Sequence, residues 1–128
     1  MKENEINQWL EVASHDIDTA RLLIREKGHA DIIIYHLHQA VEKLLKAVLT
    51  GCDLSFEKIH RLDKLLNIAI TCYPDLISIK DEVLEIDYYL PKLRYPAGEK
   101  ITLDTAVRVY EQFQKIEPIL NEYARGLF

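Results

Sequence analysis

The stretch 30–50, ADIIIYHLHQAVEKLLKAVLT, limits the possible folds more than any other part of this chain. Wound at about 3.6 residues per turn, it divides into two unequal halves. Ile33, Ile34, Leu37, Ala40, Val41, Leu44, Leu45, Ala47 and Val48 share one side. His36, His38, Gln39, Glu42, Lys43, Lys46 and Thr50 fill the other, an arc of roughly 160°. So wide an apolar face needs at least two partner helices to cover it, which makes this the central helix of a bundle. The polar half carries imidazoles, an amide, a carboxylate and ammoniums within three turns. It reads either as a solvated face or as the wall of a polar groove. Glu42 and Lys46 form an i,i+4 pair, worth about 0.2–0.5 kcal/mol if exposed.

The flanking segments keep helical periodicity throughout. A first helix is expected over 3–27, with Ile6, Trp9, Leu10, Val12, Ala13, Ile17, Ala20, Leu23 and Ile24 inward. Asp16 falls in the middle of that apolar face. A carboxylate buried there must be paired or hydrogen-bonded, because leaving it alone costs several kcal/mol. Gly28 is expected to close the helix as a left-handed cap. Residues 51–59 read as a loop and 61–71 as a third helix, with His60 as its N-cap or a core contact. Tyr73-Pro74-Asp75 reads as a turn. A fourth helix over 76–90 places Leu76, Ile79, Val83, Ile86 and Leu90 on one stripe, and Pro91 ends or kinks it. Thr102 caps a fifth helix that turns Val107, Tyr110, Phe113, Ile116, Leu120 and Tyr123 inward, and Pro118 should kink or split it near Glu117. The expected fold is therefore all-α, an antiparallel up-and-down bundle of about five helices, with residues 1–128 as a single domain.

Composition narrows the function. The chain of 128 residues carries a net charge of −5. That is the wrong sign for attachment to nucleic acid by overall charge, so any RNA contact must come from a few placed residues. No apolar run approaches the roughly 20 residues that span a bilayer, so no membrane partner is expected. The opening MKENEINQWL lacks the pattern of a secretory signal, which leads to the expectation of a cytoplasmic chain. Cys52 and Cys72 have no CxxC spacing and are expected as reduced, partly buried thiols, neither bridged nor metal-bound.

The usual catalytic patterns are missing. There is no glycine-rich phosphate loop, no HExxH and no G-x-S-x-G elbow. His36 and His38 diverge by about 160° on a helix and cannot share a metal. No metal and no cofactor is expected. Between Pro91 and Pro96, the segment Lys92-Leu93-Arg94-Tyr95 brackets an arginine and an aromatic ring with prolines, an arrangement suited to a fixed guanidinium and a stacking surface.

The order of these features resembles the HEPN domain family (higher eukaryotes and prokaryotes nucleotide-binding). The matching pieces are WLEVASHDIDTARLLI, YHLHQAVEKLLKAVL, IHRLDKLL and DYYLPKLRYPAG, together about residues 9–98. The resemblance implies a helical bundle, often dimeric, with Asp16, Gln39, Glu42, Lys43, Lys46, His60, Tyr89, Arg94, Tyr95 and Pro96 at the positions the family pattern emphasises. Many such domains act beside a minimal nucleotidyltransferase, as a nucleotide-binding partner or as the toxin half of a toxin–antitoxin pair. Others are metal-independent ribonucleases with an arginine followed by a histidine after four to six residues. This sequence departs from that pattern, since no arginine has a histidine at that distance. The ribonuclease base is therefore unassigned.

Three readings follow. In the first, the chain is a homodimeric module that binds a nucleotide or pairs with a nucleotidyltransferase. Lys43, Lys46, His60, Tyr89, Arg94 and Tyr95 would contact the ligand, while Asp16, Gln39 and Glu42 would form a supporting polar network. In the second it is a ribonuclease of non-standard arrangement, with His60 as base and Arg94 as phosphate stabiliser. In the third it is a structural homo-oligomer whose polar groove binds nothing.

Overall fold

A computed structural model describes residues 2–93 and 100–127. It holds five helices: α1 Lys2–Arg25, α2 Ala30–Gly51, α3 Leu62–Cys72, α4 Lys80–Tyr88 and α5 Leu103–Arg125. A 3₁₀ helix, Pro74–Ile79, leads into α4, and a single helical turn, Leu90–Leu93, follows it. No strand occurs among the described residues. The all-α bundle expected from periodicity is the fold observed.

The helix ends show why the chain turns where it does. α1 closes with Gly28 N–H donating to the Leu23 carbonyl (2.7 Å) and Lys27 N–H to the Ile24 carbonyl (3.2 Å), a Schellman arrangement. Its left-handed residue is Lys27, at φ 54°, rather than the expected Gly28. Gly28 is needed for space instead: a Cβ there would sit 2.8 Å from Leu23 Cδ2. α2 closes in the same way, with Asp53 left-handed at φ 57° and Leu54 N–H donating to the Leu49 carbonyl. Thr102 caps α5 as expected, its hydroxyl oxygen accepting from Thr105 N–H at 3.3 Å.

α2 lies in the middle. It packs against α1 and α5 along most of its length and also touches α3, α4 and the turn Leu90–Leu93. Encirclement buries more of α2 than its apolar stripe alone would. His38, Glu42, Lys46 and Thr50, placed by periodicity on the polar half, are all buried. The core includes Leu10, Ile17, Leu37, Leu45, Leu65, Val83, Ile86, Phe113 and Leu120.

Several sequence expectations need correction. Val12 is 36% exposed, because Leu10, Ala13 and Ile17 already fill the α1 seam. On α5, Ala106, Val109 and Ala124 are buried, whereas Val107, Tyr110 and Tyr123 are half-buried. Pro118 does not split α5, which runs unbroken to Arg125. Gln114, whose carbonyl the proline leaves without its helical donor, is exposed, so water can satisfy it. Pro91 sits inside the turn Leu90–Leu93, where the missing N–H belongs to a first turn that has no partner for it. Cys52 and Cys72 are not separate thiols. They form a disulfide with Cα atoms 6.5 Å apart, within the usual range for such bonds. The loop after α2 doubles back beside α3, a proximity that their spacing of 20 residues does not reveal.

The corrected α1 face has a direct consequence. Val12→Ala should change stability by less than about 0.5 kcal/mol. Leu10→Ala should cost about 2–5 kcal/mol. Urea unfolding of the two variants checks the difference, and equal losses would return Val12 to the core.

Candidate functional site

Three carboxylates organise the polar groups around α2. Asp16 of α1 accepts from Lys43 Nζ at 2.6 Å and from His36 Nδ1 at 2.8 Å, along the α1–α2 seam. Glu42 of α2 accepts through one oxygen from Lys46 Nζ (2.9 Å) and from His60 Nδ1 (3.1 Å). Asp87 of α4 accepts from His38 Nε2 at 3.0 Å and from the backbone N–H of Leu62 at 3.3 Å. The tautomers follow from the partners, since only a ring N–H can donate to a carboxylate.

The two α2 ammoniums are therefore committed. Lys46 lies 5.5 Å from the Trp9 ring centroid and 5.8 Å from that of Phe56, with Glu42 alongside. Its charge is met by a carboxylate and two aromatic faces. Lys43 is held by Asp16.

His60 does not cap α3. Arg61 occupies that position without a side-chain cap bond. The α3 N-terminus is served from outside by Asp87, whose carboxylate takes the Leu62 N–H. His60 instead turns back to Glu42, and its side chain remains 70% exposed. With Nδ1–H engaged, Nε2 is left bare toward solvent.

Tyr35, Gln39 and Glu42 of α2 join His60, Leu90 and Leu93 around a groove of about 490 Å³. A second groove, about 660 Å³, is lined by His60, Arg61, Leu84, Asp87, Tyr88, Leu90 and Pro91. His60 and Leu90 belong to both. Of the residues singled out in the sequence, Gln39, Glu42 and His60 meet in the first groove, with Lys46 behind Glu42. Asp16 and Lys43 pair with His36 further along α2. Tyr89 lines a smaller cavity of about 220 Å³ with Tyr88, Lys92, Lys100, Ile101 and Thr105. Arg94, Tyr95 and Pro96 lie outside the described residues.

Sequence reasoning missed Tyr35 and Asp87. Tyr35, Gln39, Glu42 and Lys46 follow i, i+4, i+7, i+11 spacing, a stripe that periodicity could have isolated. Asp87 had a weaker signal, standing one residue after Ile86 on the α4 stripe. Among the described residues, no three His, Cys, Asp or Glu side chains gather as a metal site.

Burial raises the Asp87 carboxyl pKa, but hydrogen bonds from His38 and the Leu62 N–H, with the field of His38, outweigh it, so the net direction is down. A depressed folded pKa stabilises the protein above the unfolded value, about 3.9, and the gain disappears as pH falls through the folded value. Asp87→Ala should cost about 1–3 kcal/mol at neutral pH, through stranded His38 and Leu62 donors. It should also flatten the stability curve below about pH 4. Urea unfolding between acid and neutral pH checks both, and a variant as stable as the parent would contradict the pairing.

No curated protein and no solved structure matches the chain. The HEPN domain model matches residues 6–123, from the first turns of α1 almost to the end of α5, and thus includes every helix whose side chains build the two grooves. On that match the chain belongs to the HEPN domain family.

Proposed function

We propose that this chain is a nucleotide-binding HEPN module, acting as a homodimer with a separate minimal nucleotidyltransferase in a toxin–antitoxin-like pair. The observation that carries this reading is the groove where Glu42 fixes His60 opposite Gln39 and Tyr35. Its volume falls in the range of small-molecule sites. An aromatic ring, a side-chain amide and an imidazole over Leu90 and Leu93 suit a nucleobase, which offers a flat apolar face and a polar edge.

Phosphate recognition follows a different logic from the one the sequence suggested. Lys43 and Lys46 are neutralised by Asp16 and Glu42, so neither offers a spare charge. The family resemblance gives that role to Arg94, the residue after Leu93 in sequence, whose guanidinium would take phosphate bidentately. Tyr35, Leu84 and Tyr88 are exposed apolar side chains on the groove walls, which supports a second protein surface there.

A second reading has its own support. Glu42 holds His60 by Nδ1 and leaves Nε2 open, the arrangement of an oriented general base. This would serve a metal-independent ribonuclease.

Calorimetry with ATP as the probe tests the first reading. His60→Ala and Gln39→Ala should each weaken binding by about tenfold, the effect of one lost hydrogen bond. Unchanged affinity would remove the groove from the site. Incubation with RNA under a chelator tests the second: cleavage abolished by His60→Ala supports it, and intact RNA ends it.

A further inference from the structure

The segment between α2 and α3 carries His60 to the groove and is closed into a ring by the Cys52–Cys72 disulfide. Cys52 is half-buried at the end of α2, whereas Cys72 is exposed at the end of α3. Neither sulfur belongs to the buried core. α3 is held independently by Leu62, Leu65, Leu66 and Ala69, all fully buried. The fold therefore does not need the bond to keep α3 in place.

The loop itself is differently supported. Asp53 and Lys58 both stand in the left-handed region, at φ 57° and 64°, where side chains other than glycine are disfavoured. The remaining ties named for the loop are an exposed Lys2–Asp53 ion pair, the edge contact of Phe56 with Trp9, and the His60–Glu42 hydrogen bond. An exposed ion pair adds little. The disulfide is thus the covalent constraint that holds a strained segment in its groove-facing course.

We propose that Cys52–Cys72 is a reversible thiol–disulfide exchange site for low-molecular-weight thiols, and that its state sets the freedom of the loop that seats His60. A thiolate attacks the exposed Cys72 sulfur. The S–S bond breaks, Cys52 departs as a thiolate and takes a proton from water, and a mixed disulfide remains on Cys72. A second thiol resolves it, leaving Cys72 reduced and the two small thiols joined as a disulfide. Two electrons pass from the small thiols to the protein, and oxidation reverses each step. The consequence for ligand binding rests on the function proposed above, but the exchange and the loop response do not.

The test uses the full chain equilibrated in glutathione buffers. The oxidised chain should take up no iodoacetamide, and the reduced chain should take it up on both cysteines. Cys52→Ser should trap glutathione on Cys72. Hydrogen exchange of backbone amides 53–60 should quicken by about tenfold on reduction, while Leu65 and Leu66 of α3 stay protected. The Cys52→Ala/Cys72→Ala double variant should match the reduced chain. Alkylation of both cysteines in the oxidising buffer would overturn the site. Unchanged loop exchange, or loss of protection throughout α3, would overturn its control of the loop. Equal ATP affinity in the two states would remove the regulatory link. Absence of ATP binding in both states, with the loop response intact, would instead sink the proposed function and leave the exchange site standing.

Discussion

Encirclement of α2 is the constraint on which the rest depends. A helix walled in by α1, α3, α4 and α5 cannot leave polar side chains to water, yet this one carries His38, Glu42, Lys46 and Thr50 at buried positions. Each must find a partner inside the protein, since an unmatched buried charge costs more than the few kcal/mol by which a domain is stable. Glu42 meets Lys46, His38 meets Asp87, and Thr50 donates to the Lys46 carbonyl. The partners come from elements distant in sequence, so satisfying α2 also fixes where α4 and the loop before α3 must lie.

The same pairing determines what kind of recognition the groove can perform. The α2 ammoniums are cancelled locally, and the chain as a whole is acidic. Long-range attraction of a polyanion is therefore a poor basis for function. What remains is short-range and directional: an amide, an oriented imidazole and a ring over an apolar floor. His60 is the residue at which the buried network reaches solvent, anchored at one ring nitrogen and open at the other.

Much of the fold was legible because it depends on local periodicity. The five helices, the central place of α2 and the Thr102 cap are all written in residues a few positions apart. The readings that failed depended on distant neighbours. Val12 has the right spacing for the core but loses its place to Leu10 and Ala13. His60 has the right position for a cap, but Glu42 is near enough to take its ring while Asp87 serves the α3 N-terminus. The cysteines gave no spacing signal, because the loop's return beside α3 is a tertiary event. In the site, residue types were legible and pairings were not: lysines seen as free charge for a ligand turn out to be held by carboxylates on α1 and α2. Arg94 and Tyr95, which the sequence favoured, lie outside the described residues and leave that part of the reading with the family resemblance alone.

The most direct measurement is a long-range proton–nitrogen NMR spectrum of the imidazoles, recorded where they are neutral. The pairing described here sets opposite tautomers on two rings. His60 should carry its proton on Nδ1, facing Glu42, and His38 on Nε2, facing Asp87. His60 in the Nε2–H form would contradict the account, because an imidazole so placed makes no bond to Glu42 and has no reason to stand in the groove.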